Sequence, residues 1–265
     1  MYPSIYRITW KTLGHRPRVV WILLWQLLFV VVAAAILLAF GLNQLSALLG
    51  KAPSPTVHSH NSIIPIMVLG IVLFPYYLAG YYGTVAEAIK DKPLTLGSFL
   101  GNGLRYFSRS YALILTTLGT LAVWVLVLGL AYFVLFSIVH LPLTTMIPIL
   151  AVLGMIGAIP LGLWLLWFVN LLFVAGFKWP KALSRASTFA RRYACLTAAI
   201  VITALIGQLL IVWGTLWLAQ YTGMAGQILN YFILVLTGLF WSLSFMALYR
   251  VVTRKPEQDE SAASM

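Results

Sequence analysis

The chain has 265 residues, of which 62% are hydrophobic and 8% are charged, and its mean hydropathy is +0.98. So few charges cannot cover a water-soluble surface, which excludes an ordinary soluble domain. The net charge of +12 would indicate nucleic-acid binding in a soluble protein, but a basic excess is also typical of the cytoplasmic loops of membrane proteins. The positions of the cations along the chain decide between these two explanations.

Apolar stretches recur along the whole chain, and each is long enough to cross about 30 Å of hydrocarbon, which takes roughly 20 residues. The third and fourth stretches exceed that length, which predicts tilt or an extension into the interface. The N-terminal stretch is too long for a signal peptide and is expected to be an uncleaved span. We predict an all-α polytopic membrane protein with six spans near residues 19–43, 63–86, 111–140, 147–177, 194–219 and 230–251.

The Lys and Arg residues alternate with the spans. Sixteen of the 17 lie before span 1, between spans 2 and 3, between spans 4 and 5, or after span 6, and only Lys51 lies in the other connections. The positive-inside rule therefore places the basic side and both termini in the cytoplasm, and we expect no nucleic-acid partner. The other side is predicted to have only short connections, among them a turn near 141–145 and a loop near 221–227. The acidic segment 256–265 is expected to be a disordered cytoplasmic tail.

The basic segments predict a threefold internal repeat, in which a short amphipathic helix lies on the membrane before each pair of spans. In the second segment the polar face is formed by Ser98, Asn102, Arg105 and Arg109. The opposite face is predicted to be an apolar stripe of Leu96, Leu100, Gly103 and Phe107. The third segment repeats the polar spacing 83 residues later with Lys181, Arg185, Thr188 and Arg192. The N-terminal segment has a similar pattern, with Arg7 and Lys11 opposite Tyr6, Trp10 and Leu13.

A shift of 82 residues instead aligns F-S-R-S-Y at 107–111 with F-A-R-R-Y at 189–193, so both registers stay open. Spans 2, 4 and 6 are also predicted to end alike, at Ala79-Gly80-Tyr81, Ala175-Gly176-Phe177 and Ala247-Leu248-Tyr249. We therefore divide a single transmembrane domain, 1–255, into pseudo-repeats near 1–92, 93–178 and 179–255.

The basic helices are the candidate contact sites for anionic lipid or a cytoplasmic protein partner. A cation near an acidic leaflet contributes about 1 kcal/mol, and the apolar face of such a helix can bury into the acyl boundary. The alternative is that these cations only set the orientation of the chain. The candidate residues are Arg7, Lys11, Arg105, Arg109, Lys181, Arg185, Arg191 and Arg192.

The sequence does not indicate an enzyme. Glu87 and Asp91 are the only acids outside the tail, and no nucleophile with a base or pair of acids is visible. The histidines 58, 60 and 140 lack a nearby carboxylate or thiolate, so we expect no metal and no cofactor. Cys195, the single cysteine, is expected to be a small packing residue. No span has a charge at its centre, which argues against a proton relay or an ion pump.

Two features of the later spans leave a transport function open. Small residues recur every four positions in span 4 and predict a close helix contact at Gly154, Ala158 and Gly162. A polar path near Asn170, Gln208 and Pro160 would instead indicate a permease or transporter subunit coupled to a cytoplasmic ATPase. An intramembrane enzyme ranks third, since it would need two carboxylates or histidines at one depth.

Two basic segments carry a family resemblance: K-P-L-T-L-G-S-F-L-G-N-G-L-R-Y-F at 92–107 and V-A-G-F-K-W-P-K-A-L-S-R-A-S-T-F-A-R-R-Y at 174–193. They resemble the bacterial membrane-domain family attached to some glycerophosphodiester phosphodiesterases, and related six-helix bacterial membrane proteins. The resemblance implies a bacterial plasma membrane protein. It does not imply hydrolysis, because in that family the activity belongs to a separate soluble barrel. We therefore predict a non-catalytic integral membrane protein whose basic cytoplasmic collar contacts anionic lipid or a protein partner.

Overall fold

The structure, a computed structural model, describes residues 2–14, 20–36, 67–95, 97–140 and 142–263. These residues form helices and turns, with no strand among them, so the all-α prediction is confirmed for this part of the chain. In chain order the described helices are α1 (Tyr2–Gly14), α2 (Val20–Ile36), α3 (Phe74–Ile89), α4 (Ser98–Arg105), α5 (Phe107–Ser137), α6 (Leu143–Val169), α7 (Trp179–Arg192) and α8 (Ala194–Ala263).

Five helical stretches are long and apolar enough to cross a membrane: Leu69–Ile89, Phe107–Ser137, Thr144–Val174, Ala194–Thr215 and Phe232–Thr253. They indicate a multi-pass membrane protein. The first predicted span contains the shorter apolar helix Trp21–Ile36, and its residues 37–43 lie outside the described residues. The second and third of the five stretches have 31 residues each, about 46 Å of helix, and so exceed the bilayer core as expected from the sequence.

The two apolar stretches of α8 meet although one helical segment contains both. A Cβ atom on Gly207 would lie 3.2 Å from Cζ2 of Trp241, whereas a straight helix would separate these positions by about 50 Å. The chain therefore reverses direction between them. The backbone is helical through 221–227, where a loop was predicted, because helical turns keep backbone groups hydrogen-bonded next to hydrocarbon. The helix also continues through 256–263, where composition predicts disorder.

The described residues pack as two units: unit 1 comprises those of 1–110 and 207–265, and unit 2 those of 111–206. In unit 1, α1 buries Ile5 and Thr9, and the Thr9 hydroxyl lies 3.2 Å from the hydroxyl of Ser244. Arg7 and Lys11 on the same helix are exposed. This helix therefore has one packed face and one charged face. The pseudo-repeats stay a prediction.

A glycine ends the apolar stretch in unit 2. A π-helical turn, Asn170–Val174, follows α6, and the Phe177 N–H then donates to the Leu171 carbonyl at 3.0 Å. Gly176 between them has φ 75°, the left-handed conformation that glycine adopts without strain. The predicted ending at Ala175-Gly176-Phe177 is thus confirmed.

The same ending is wrong for spans 2 and 6. Ala79-Gly80-Tyr81 lies inside α3, and Ala247-Leu248-Tyr249 lies inside α8. Gly80 has a packing role instead. Three glycines in α3 and α4 each face an aromatic ring so closely that a Cβ atom would clash: Gly80 with Phe99, Gly83 with Tyr106, and Gly103 with Tyr76. These contacts seat the short helix α4 against α3.

Helices α5 and α6 make a similar contact in unit 2. The ring of Trp124 occupies the space where Gly157 would carry a side chain. Gly154 has Leu128 at 4.0 Å, whereas Gly162 has no atom within 4 Å of its Cβ position. The close approach therefore centres on Gly157, between the residues of the predicted stripe.

We expect the substitution Gly157→Ala to lower the thermal unfolding midpoint, because overpacking a filled contact costs about 1–3 kcal/mol. Gly162→Ala is the matched control on the same helix. It is expected to leave the midpoint unchanged or raise it slightly, since alanine is the better helix former. Thermal unfolding of the purified protein in detergent measures both, and equal midpoints would contradict the packing of Trp124 on Gly157.

Candidate anion-binding surfaces

Helix α4 ends at Arg105, and Tyr106 alone separates it from α5. The Tyr106 side chain is buried, and two guanidinium groups lie near its ring: that of Arg105 at 5.4 Å from the centroid and that of Arg109 at 5.0 Å. Cations at such distances are attracted by the negative face of the ring. Tyr106 therefore positions cations from the two helices that it joins.

Asn102 fixes α4 to α3 through polar contacts. Its side-chain amide donates to Oε2 of Glu87 at 2.7 Å and to the Thr84 hydroxyl at 3.3 Å. Arg105 approaches the other Glu87 oxygen at 3.7 Å. Asn102 is only 4% exposed, because its amide supplies a hydrogen bond to a carboxylate at the protein surface boundary.

The predicted faces of α4 are therefore wrong in part. Asn102 was expected on the open polar face and is buried, while Leu100 was expected on the packed stripe and is 41% exposed. The face that packs against α3 instead comprises Phe99, Asn102, Gly103 and Tyr106. The cause is that α4 docks on a helix with glycine recesses for its rings, which helical periodicity alone does not reveal. Leu96 of the predicted stripe lies outside the described residues.

The turn after α3 is held by an ion pair. Arg250 donates to the carbonyl of Ile89 and to the Asp91 carboxylate, the latter at 2.7 Å. Asp91 has φ 63°, a conformation that aspartate tolerates better than most residues. The turn thus presents Lys90 and Lys92 from a fixed backbone.

Lys90 senses the other cations around it. Burial lowers the pKa of its ammonium group, and Lys92, Arg109 and Arg105 lower that pKa further, while Glu87 opposes them. Four cations from three segments therefore share one region. We call Lys90, Lys92, Arg105 and Arg109 the Tyr106 cluster.

Unit 2 carries a second basic surface on α7. The Lys181 ammonium lies 4.9 Å from the Phe177 ring centroid and the Arg185 guanidinium 5.0 Å from it. Arg192 lies 5.6 Å from the ring of Tyr193. Lys181, Arg185, Arg191 and Arg192 are all exposed, and we call them the α7 cluster. The segment 111–206 contains no Asp or Glu, so this unit has no carboxylate of its own to neutralise them.

Helix α7 is anchored by small and aromatic residues. Pro180 lies in its first turn, as predicted. Ala182 and Ala186 are fully buried, the indole of Trp179 donates to the Thr116 hydroxyl at 2.9 Å, and the cations occupy the remaining surface. Arginine and lysine on this helix therefore do not contribute to its packed face.

The helix ends indicate a different repeat register from either of those predicted. Tyr106 caps α4 and Tyr193 caps α7, a separation of 87 residues. The same shift aligns Arg105 with Arg192, and it aligns the fully buried hydroxyl residues Ser110 and Thr197. The shared dipeptide Arg-Tyr was the available signal. Sequence reasoning missed it because polar spacing, rather than the packed face, was compared.

The remaining candidates have simpler surroundings. Among the three histidines considered, only His140 lies in the described residues, at the turn before α6 with φ 55°; His58 and His60 do not. Cys195 is exposed, so the expectation that it packs is wrong. Its position in the first turn of α8 directs it away from the neighbouring helices.

We expect Arg109→Gln to raise the pKa of Lys90, because one nearby positive charge is removed, and Glu87→Gln to lower it, because the one attractive charge is removed. Carbon-13 NMR of reductively methylated lysines measures both shifts. Arg191→Gln is the control and should leave Lys90 unchanged. A Lys90 titration that ignores all three substitutions would contradict the shared region.

Comparison of the chain with protein-family models, curated proteins and solved structures finds no match in any of the three. The function of the two clusters therefore rests on their own geometry.

Proposed function

We propose that the chain is a non-catalytic integral protein of the bacterial plasma membrane, with both termini in the cytoplasm, whose basic surface binds the headgroups of anionic phospholipids. The observation that supports this most is the α7 cluster. It places four exposed cations in a unit of 96 residues, 111–206, that has no acidic side chain.

The position of α7 in the chain supports a lipid ligand. It follows the apolar stretch Thr144–Val174 and directly precedes the stretch Ala194–Thr215. Its cations therefore lie where two apolar helices end, which is the level of the headgroups in a bilayer. A cation at that level gains about 1 kcal/mol from an acidic leaflet.

The aromatic rings favour binding over a purely orienting role. The positive-inside rule requires cations in a segment but no particular arrangement of them. Here Lys181 and Arg185 share the Phe177 ring, and an exposed contact of this kind contributes about 0.5–1 kcal/mol. Ring contact limits the conformations of both side chains while leaving donors open, which reduces the entropic cost of holding an anion.

The residues considered for a transport path do not support the alternative of a permease or transporter subunit. In unit 2, Asn170 is 2% exposed and its amide donates to the Leu166 carbonyl at 3.0 Å. Pro160, in contrast, is exposed. These two residues therefore do not line a common path. A cytoplasmic protein partner stays the second candidate for the basic surface, and the resemblance to the bacterial membrane-domain family is compatible with either ligand.

The test is a titration of the detergent-solubilised protein with phosphatidylglycerol and with phosphatidylcholine, followed by native mass spectrometry to obtain dissociation constants. We expect phosphatidylglycerol to bind more tightly. Combined replacement K181Q, R185Q and R192Q should weaken its binding about tenfold, since several contacts of about 1 kcal/mol are lost in part.

The charge-conserving combination K181R, R185K and R192K is the matched control and should retain phosphatidylglycerol binding. Thermal unfolding checks that all variants are folded. If the neutral variant is folded and binds phosphatidylglycerol like the wild type, these cations only orient the chain and the proposal fails.

A further inference from the structure

We infer that the Tyr106 cluster is a binding site for a lipid whose headgroup is a phosphomonoester, and that it prefers such a doubly charged headgroup to a phosphodiester. This inference rests on the proposed function and adds the class of lipid and the place where it binds.

The first support is the charge balance at this site. Five cations lie in the region, the four of the cluster and Arg250, together with the carboxylates of Glu87 and Asp91. Asp91 pairs with Arg250 at 2.7 Å, and Glu87 accepts a hydrogen bond from Asn102 at 2.7 Å. The region keeps an excess of about three positive charges, and the lowered pKa of Lys90 reports that excess.

The second support is that the cations converge on a built framework. Arg105 and Arg109 approach the same ring at 5.4 Å and 5.0 Å, so their guanidinium carbons lie within about 10 Å of each other. The Tyr106 ring that positions them is itself fixed against Gly83, where no Cβ atom would fit. A phosphomonoester has three terminal oxygens and accepts hydrogen bonds from several such donors at once.

The third support identifies the ligand as a lipid rather than free phosphate. Leu100 is 41% exposed and Leu104 is 75% exposed, on the helix that carries Arg105. The cluster also lies between the end of the apolar stretch Leu69–Ile89 and the start of Phe107–Ser137. Open leucines beside cations at a membrane boundary suit an amphiphile, which offers acyl chains to the first and phosphate to the second.

The charge of the headgroup decides between lipid classes. A phosphomonoester carries nearly two negative charges above its second pKa of about 6, whereas a phosphodiester carries one. An additional unit of charge at such a surface changes affinity about fivefold. The α7 cluster has its cations spread along one helix without this convergence, so it should respond to each lipid by charge alone.

The experiment titrates the full-length protein in detergent at pH 7.5 with phosphatidic acid or phosphatidylglycerol of identical acyl chains, with native mass spectrometry as the readout. We expect phosphatidic acid to bind about fivefold more tightly. R105Q combined with R109Q should bring this ratio close to one. K181Q combined with R185Q removes the same charge from unit 2 and should weaken both lipids while the ratio persists.

The single variant Lys92→Gln covers the case in which the double variant does not fold, and it should reduce the ratio in the same direction. Glycerol 3-phosphate and inorganic phosphate, added as soluble competitors, should not displace phosphatidic acid at equal concentration. Displacement would show a site for soluble phosphate and overturn the assignment to lipid.

Two further outcomes would overturn the inference. One is equal affinity of the wild type for the two anionic lipids, and the other is a preference that survives in folded R105Q/R109Q. In both cases tighter binding of phosphatidylglycerol than of phosphatidylcholine would leave the proposed function standing. Equal binding of all three lipids would remove both.

Discussion

The need to satisfy every backbone hydrogen bond in hydrocarbon governs this structure. It keeps the described chain helical, and it leaves the short basic helices to be attached by side-chain packing. Glycine recesses for aromatic rings provide that attachment at α4, where Gly83 and Gly103 accept Tyr106 and Tyr76. Buried alanines provide it at α7. Because one face of each helix is occupied in this way, its cations are confined to the other.

The two basic surfaces share a design and differ in how their charge is balanced. In each, an arginine at the end of a short helix lies over a tyrosine that caps that helix. Unit 1 supplies Glu87 and Asp91 to hold its cations in place, whereas unit 2 supplies no carboxylate. A converging site for a particular headgroup and a spread surface for acidic lipid in general follow from this difference.

Hydropathy predicted the apolar helices to within a few residues, since crossing hydrocarbon depends on length and composition. It placed the third span at 111–140, and the structure has Phe107–Ser137, because a cap at Tyr106 rather than polarity sets the start. The buried face of α4 was not predictable from periodicity. Asn102 is packed because Glu87 lies across from it, and the sequence alone does not bring those two residues together.

The candidate cations were found from the sequence, but their aromatic partners were not. Phe177 and Tyr193 looked like ordinary interfacial aromatics, and their role depends on where the helix caps fall. The repeat was detectable as a pattern, while its register needed the positions of Tyr106 and Tyr193 in the structure.

Accessibility labelling tests the central claim most directly, namely that the cations share one side of a membrane that the chain crosses repeatedly. In a Cys195→Ser background, the substitutions Ser108→Cys and Ser184→Cys report on the two clusters, and His140→Cys reports on the opposite connection. An impermeant maleimide applied to intact bacterial cells should label only the variant at 140, and in inverted vesicles it should label only those at 108 and 184. Labelling at 108 or 184 from outside intact cells would contradict the account.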